Sequence, residues 1–215
     1  MLPALGSISS QQAAPTSQTM QHVQQLIEYA TTHPDATITY CASAMVLTGH
    51  NNVSYLSEAK SRSRAGGHFF MTDESAEPPN NGAVTTISRI IKTVMSSAAE
   101  AELCALFINC HEDVPARITL EEMGHKQLPT PMKTDNTTAL GVVNYSIVSK
   151  KWKSMDTRIN WLRCREAQKN SGTIGIRDLQ TSVTTRPSTM QPYTTKQLML
   201  FPLRKIGRAS CRERV

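Results

Sequence analysis

The order of apolar and polar residues divides the chain into stretches of two-residue alternation and stretches of helical period. Residues 19–31 place Met20, Val23, Ile27 and Ala30 at the spacing of one helix face, with Thr19 as the cap and His33-Pro34-Asp35 as the stop. Alternation predicts strands over residues 37–40, 45–48, 66–71 and 83–87. A turn-rich loop with Pro78, Pro79, Asn80, Asn81 and Gly82 separates the last two. Helical period returns over residues 96–110, where Ala98, Ala101, Ala105 and Ile108 form a face with Leu103 and Phe107 beside it. A second helical stretch carries Leu120 and stops at Gly124. Residues 129–135 read as a strand ending in a carboxylate, and residues 136–144 as a short helix. Met155, Ile159 and Leu162 mark another helix, with Trp152 and Trp161 nearby. Strands followed by alternating strands and helices predict an α/β domain with a mixed sheet flanked by helices. Residues 1–18, rich in Ser, Gln, Ala and Pro, read as a linker, and after residue 175 the periodicity disappears.

The chain of 215 residues, 39% of them hydrophobic, suffices for one ordinary domain with flanks. No apolar run approaches the roughly 18 residues that span a bilayer, and no basic stretch precedes a hydrophobic one at the N-terminus, so an intracellular product without a membrane partner is expected. Five cysteines, an odd number with no Cys-x-x-Cys spacing, disfavour zinc and a disulfide framework and leave free thiols. The net charge of +6 is unevenly placed. Residues 150–169 hold seven basic and two acidic side chains, a balance of +5, and residues 205–215 hold four and one, a balance of +3. A basic segment neutralises phosphates, although a solvated helix face reads the same way.

Two carboxylates stand at the ends of regular elements: Asp135 closes a predicted strand, and Glu100 lies in the first turn of a predicted helix. Brought together, such groups hold hard cations, and two cations about 4 Å apart activate water for phosphodiester cleavage. Each also has an ordinary explanation, since an acid in a first turn offsets the helix dipole and a strand end faces solvent.

The residues around these positions narrow the choice. His50-Asn51-Asn52-Val53-Ser54-Tyr55-Leu56-Ser57-Glu58, followed by Ser61-Arg62-Ser63-Arg64-Ala65-Gly66-Gly67, resembles the first-strand and hairpin motif of ribonuclease H domains in copia-type (Ty1/copia) retrotransposons. Ser96-Ser97-Ala98-Ala99-Glu100-Ala101-Glu102-Leu103 resembles that family's helix motif, and Lys133-Thr134-Asp135-Asn136-Thr137-Thr138-Ala139 its third motif. The resemblance spans roughly residues 1–170 with the motifs in order, and residues 1–45 are similar to the end of a reverse transcriptase region where it joins ribonuclease H. It implies a ribonuclease H-like fold, a mixed five-stranded sheet with helices on both faces. It also implies hydrolysis of the RNA strand of RNA–DNA hybrids by four carboxylates and two magnesium ions. Glu100 and Asp135 would then be the second and third ligands. The implied layout is a reverse transcriptase end or connecting segment over residues 1–40, the domain over 41–175 and an aberrant tail over 176–215. The partners would be the hybrid and the rest of a Pol polyprotein, in a cytoplasmic virus-like particle or the nucleus.

Two departures bear on activity. The family's first carboxylate, an aspartate in a His-x-Asp-Ala-Ser-Tyr context, is replaced by Asn52, whose amide offers an oxygen but no negative charge. The family's late Asn-Leu-Ala-Asp-Tyr-Phe-Thr-Lys-His-His motif is absent. In its place stands Thr181-Ser182-Val183-Thr184-Thr185-Arg186-Pro187-Ser188-Thr189-Met190-Gln191, which a one-base shift of frame, with suitable codons, turns into a close match. A frameshift between about residues 171 and 181 is therefore expected to disrupt the last strand and helix, and Asp178 is not promoted to a ligand. The ending Lys205-Ile206-Gly207-Arg208-Ala209-Ser210-Cys211-Arg212-Glu213-Arg214-Val215 resembles the translation of a sequencing adapter, so its +3 has no bearing on affinity.

Among the remaining residues, Lys150, Lys151, Lys153 and Arg158 are the candidates for phosphate contacts. Trp152 and Trp161 read as packing, with stacking on bases as the alternative. His50 and His68, placed near strand ends, read as structural histidines, and the ten methionines as core filler. Three functions remain open: a metal-dependent nuclease domain with impaired turnover, a nucleic-acid-binding remnant without catalysis, and an open reading frame with no function.

Overall fold

The computed structural model describes residues 1–74, 80–147, 155–167 and 174–178. Two compact units result, the first comprising residues 1–38 and the second beginning at Thr39. In the first, helix α1 (Leu2–Ser9) starts on Pro3, whose fixed φ suits a first turn, so the linker expected there is partly helical. Helix α2 (Ser17–Thr32) is capped by Thr16, three residues before the predicted cap. Thr16 and Thr19 form a reciprocal capping box in which Thr16 Oγ1 accepts from the Thr19 N–H at 3.2 Å and Thr19 Oγ1 from the Thr16 N–H at 3.1 Å. The apolar face expected on α2 is not an inner face, because Met20 and Ile27 are exposed.

The second unit is built on a mixed five-stranded sheet flanked by helices, the architecture expected above. Strands β1 (Val46–Glu58), β2 (Arg62–Thr72) and β3 (Ala83–Ile91) form an antiparallel meander, and β4 (Thr130–Thr134) and β5 (Ile174–Asp178) continue the sheet in parallel, in the order β3-β2-β1-β4-β5. Helix α3 (Ala98–Glu122) connects β3 to β4, and α4 (Thr137–Val143) and α5 (Asp156–Ala167) lie between β4 and β5.

Several expectations are corrected. Residues 37–40 are not a strand, and Ile38 and Tyr40 are exposed. The segment is held instead by Tyr40 Oη donating to the Ala83 carbonyl at 2.9 Å and the Cys41 N–H donating to Asn81 Oδ1 at 2.8 Å. The two helical stretches around residues 96–124 are one helix of 25 residues with Pro115 inside it, and Ala98 on its predicted inner face is exposed. The fifth strand runs through residue 175, where the apolar pattern fades, and pairs Ile176 with Met132. The last strand, whose disruption was expected, is therefore in place, and the last helix, whose disruption was also expected, falls outside the described residues.

One face of the sheet carries the core. Leu47, Ala65, Phe69, Met132 and Ile176 pack against Ala101, Cys104 and Ala105 of α3, Ala139, Val142 and Val143 of α4, and Ile159 and Leu162 of α5. At Gly49 a Cβ would overlap the Met132 and Phe69 side chains of the two neighbouring strands, so glycine leaves room for them there. The opposite face carries Thr48, His50, His68 and Phe70, with the His50 ring edge-on to Phe70 at 4.9 Å. Cys41, Cys104, Cys110 and Cys164 are free thiols. No described helix is long and apolar enough to cross a membrane.

Candidate active site

Strand alternation decides which side chains β1 turns towards α3. Asn51 faces the helix and donates to Glu102 Oε2 at 2.9 Å, while Asn109, two turns further along α3, donates to Asn51 Oδ1 at 2.6 Å and to the Gly66 carbonyl at 2.9 Å. Asn51, Glu102 and Asn109 are all buried, so these bonds satisfy polar groups that water does not reach. Gly67 is required beside them, because a Cβ there would overlap Asn109 Oδ1. Pattern reasoning missed this network. Its trace in the sequence is the spacing of Glu102, Asn109 and Asp113 by seven and four residues, which sets three polar groups on one stripe of a largely apolar helix face.

Asn52 is turned by the same alternation away from Asn51, and its Oδ1 accepts from the Val53 N–H at 2.8 Å. Strands β1 and β4 pair in parallel with Gly49 opposite Met132 and His50 opposite Lys133. Continuing that register by two residues brings Asn52 level with Asp135, one residue past the end of β4. Glu100 sits in the first turn of α3, capped by Ser97, whose Oγ accepts from the Glu100 N–H at 3.2 Å. The Glu100 carboxylate reaches back along the chain: Oε2 accepts from the Ser96 N–H at 2.7 Å and from Ser96 Oγ at 2.6 Å. By that extension of the register Asn52 stands level with Asp135, while Glu100 is joined to its own helix start.

The two magnesium ions implied above call for clustered anionic oxygens. Among the described residues no group of three or more His, Cys, Asp or Glu is placed to hold a metal ion. The aligned pair on β1 and β4 contains one amide and one carboxylate, and one Glu100 oxygen is occupied by two donors from Ser96. Among the described residues, the side chains do not fit a two-metal centre.

Of the phosphate candidates, Lys150, Lys151 and Lys153 lie outside the described residues, as does Trp152. Arg158 is at the start of α5, its guanidinium 5.9 Å from the Phe107 ring centre, with Nη1 donating to Met155 Sδ at 3.2 Å. The Cys104 thiol is pushed up by burial and by the charge of Glu100, against the opposing pull of Arg158. His50 and His68 are not near strand ends but directly paired in mid-sheet. Burial holds the His50 imidazole neutral, with its pKa lowered to about 3, and Lys133 and His68 push in the same direction. Both rings pack against Phe70, at 4.9 Å for His50 and 5.2 Å for His68.

A second buried polar group, also missed, lies on the inner side of α3. Asp113 is 1% exposed, and desolvation raises its pKa to about 7 against the pull of Thr130 and Arg117. Arg117 donates to the Leu128 and Gln127 carbonyls and, at 2.8 Å, to Glu121, pinning the chain between α3 and β4.

No protein-family model matches the chain, and no curated protein matches it with significance. Among solved structures it is similar to the N-terminal RNase H domain of a Mycobacterium tuberculosis protein, with 6% identity and a TM-score of 0.44 over 78% of this chain and 99% of that one. It is also similar to an RNase H of the halophilic archaeon Halobacterium salinarum, with 12% identity and a TM-score of 0.35 over 63% of this chain and 88% of that one. The RNase H domain of the foamy virus PFV is similar at 13% identity and a TM-score of 0.39, over 79% of this chain and 97% of that one.

Proposed function

We propose that this chain is a ribonuclease H-like domain of a copia-type retrotransposon polyprotein that engages RNA–DNA hybrids but has lost efficient metal-dependent hydrolysis of the RNA strand. What supports this reading is the parallel register of β1 and β4, which, extended by two residues, sets Asn52 level with Asp135, and the family pattern puts a carboxylate at both places. An amide leaves one fewer negative charge to offset two dications, which weakens metal binding before any chemistry begins. Hybrid binding without turnover is favoured over slow turnover by Glu100, whose Oε2 is engaged by Ser96 rather than open for a cation. The hybrid and the remainder of the polyprotein are the proposed partners, and the cytoplasmic particle or the nucleus the proposed place of action.

The test is cleavage and binding of a labelled RNA–DNA hybrid, with and without magnesium, by the purified protein and its Asn52→Asp variant. The expected result is equal binding in both metal conditions, background cleavage by the native chain, and magnesium-dependent cleavage by the variant. Equal and rapid cleavage by both proteins would overturn the impairment, and failure of both to bind would overturn the assignment. Nucleotide sequence across codons 165–215 tests the proposed frameshift and adapter-derived ending.

A further inference from the structure

A surface on α3 and α5 combines aromatic rings with two guanidinium groups that no carboxylate neutralises among the described residues. Trp161 meets Phe107 edge-on at 5.2 Å and lies 6.0 Å from His111, while the Arg165 guanidinium covers the Trp161 ring at 5.2 Å and that of Arg158 flanks Phe107. Arg158, Trp161 and Arg165 fall at i, i+3 and i+7 on α5, a single stripe about 10 Å long. His111 is exposed, and Phe107, Trp161, Arg158 and Arg165 are half-buried.

The charged neighbours are otherwise engaged. Glu166 turns inward, where Oε2 accepts from the Ile176 N–H at 2.9 Å, and Glu112, beside His111, pairs with Arg89 at 2.9 Å. Arg163, the third arginine of α5, is also committed: Nε and Nη2 both donate to the Val142 carbonyl, at 3.1 and 2.7 Å, and so secure the last turn of α4. Of the three arginines of α5, Arg158 and Arg165 are left to meet an external anion, one on each side of the rings.

We propose that this stripe binds single-stranded nucleic acid, with Trp161 and its ring neighbours offering a stacking platform for a base and Arg158 and Arg165 meeting flanking phosphates. A polyanion made of planar bases uses both features at once, whereas an acidic peptide uses only the charge. The stripe is separate from the aligned pair on β1 and β4: Phe107 and His111 stand seven and eleven residues beyond Glu100, about 10 and 16 Å along α3. It goes beyond the hydrolytic reading and does not need Asn52, Glu100 or Asp135.

Fluorescence anisotropy with a labelled oligothymidylate of about ten nucleotides, across a salt series, tests it. The full chain should bind, and the double variant Arg158→Ala, Arg165→Ala should bind more weakly, with a log–log salt slope shallower by about 1.4 for two lost phosphate contacts. Trp161→Leu should lose about 5- to 150-fold in affinity, the range of one base–aromatic stack. Because Trp161 also packs on Phe107, the arginine pair supplies an independent readout, with thermal melting as the folding control. Unchanged affinity and slope in the folded arginine variant would overturn the proposal. Displacement of the oligonucleotide by polyglutamate as effectively as by unlabelled oligonucleotide would overturn it in favour of an acidic protein partner. Asn52→Asp should leave this binding unchanged, so its failure and that of the hydrolytic reading are distinguishable.

Discussion

Asn109 donates to Asn51 Oδ1 at 2.6 Å, and this contact ties the middle of α3 to the middle of β1. The same nitrogen serves the Gly66 carbonyl of β2, so one side chain links a helix to two strands. Asn109→Leu should strand two buried acceptors and lower stability by roughly 1–3 kcal/mol, read as a fall in the urea midpoint. Gly67→Ala should act in the same direction, since its Cβ displaces Asn109. An unchanged midpoint in both variants would remove the network from the account of stability.

The start of α3 rests on Ser97 and on the return of Glu100 to Ser96. Ser97→Ala should cost about 1 kcal/mol as a lost cap. Millimolar magnesium should leave the melting temperature of the native chain in place, because a cation that does not bind the folded state cannot stabilise it. The Asn52→Asp variant should instead melt later as magnesium is added. A magnesium-dependent rise in the native chain would show that the donors it has suffice.

Asp113 makes stability depend on pH in a direction set by its burial. Its folded pKa, about 7, lies above the unfolded value of 3.8, so the folded state binds the proton more tightly. The destabilisation is absent at pH 3.8 and below, grows as pH rises, and is complete above about pH 7, on the order of 4 kcal/mol. His50 has the opposite sign: its lowered pKa makes stability fall as pH drops from 6.5 to about 3. The difference between the native chain and Asp113→Asn isolates the first effect. Unfolding free energies of the two proteins should converge near pH 4 and diverge in favour of the variant by pH 8. Parallel curves would refute the buried-carboxyl account.

Glu166 anchors β5 by accepting the Ile176 N–H. Glu166→Ala removes a charge-assisted bond worth roughly 1.5–3 kcal/mol, so amide exchange at Ile176 should quicken by about ten- to hundredfold. Exchange at the Met132 amide of β4, buried in the sheet interior, should change less. Uniform acceleration across the sheet would mean that β5 does not open by itself.

The legible parts of this chain were those whose inner positions are apolar. Leu47 announces β1, but its next inward positions are Gly49 and Asn51, so alternation fades after four residues although the strand runs for 13. At residues 37–40 the alternation is real, yet Ile38 and Tyr40 find no inner face, which periodicity alone does not report. β5 offers five residues and one buried Ile, too little signal against its surroundings. The motifs marked Asn52, Glu100 and Asp135 as one set, but spacing along a chain does not reveal that Glu100 turns back to Ser96. That depends on a local bond competing with a distant one.

Pro115 sits in the second half of α3, where two separate helices were expected. Having no N–H, it leaves the carbonyl four residues earlier, that of His111, without its helical donor. The rod is continuous in shape but not in cooperativity. The half before the gap is clamped by Asn51 and by six buried apolar side chains, and the half after it by Arg117 and the single core residue Leu120. Under thermal or mechanical load the helix should part at this seam, with its last two turns melting as a unit while the first four remain in place.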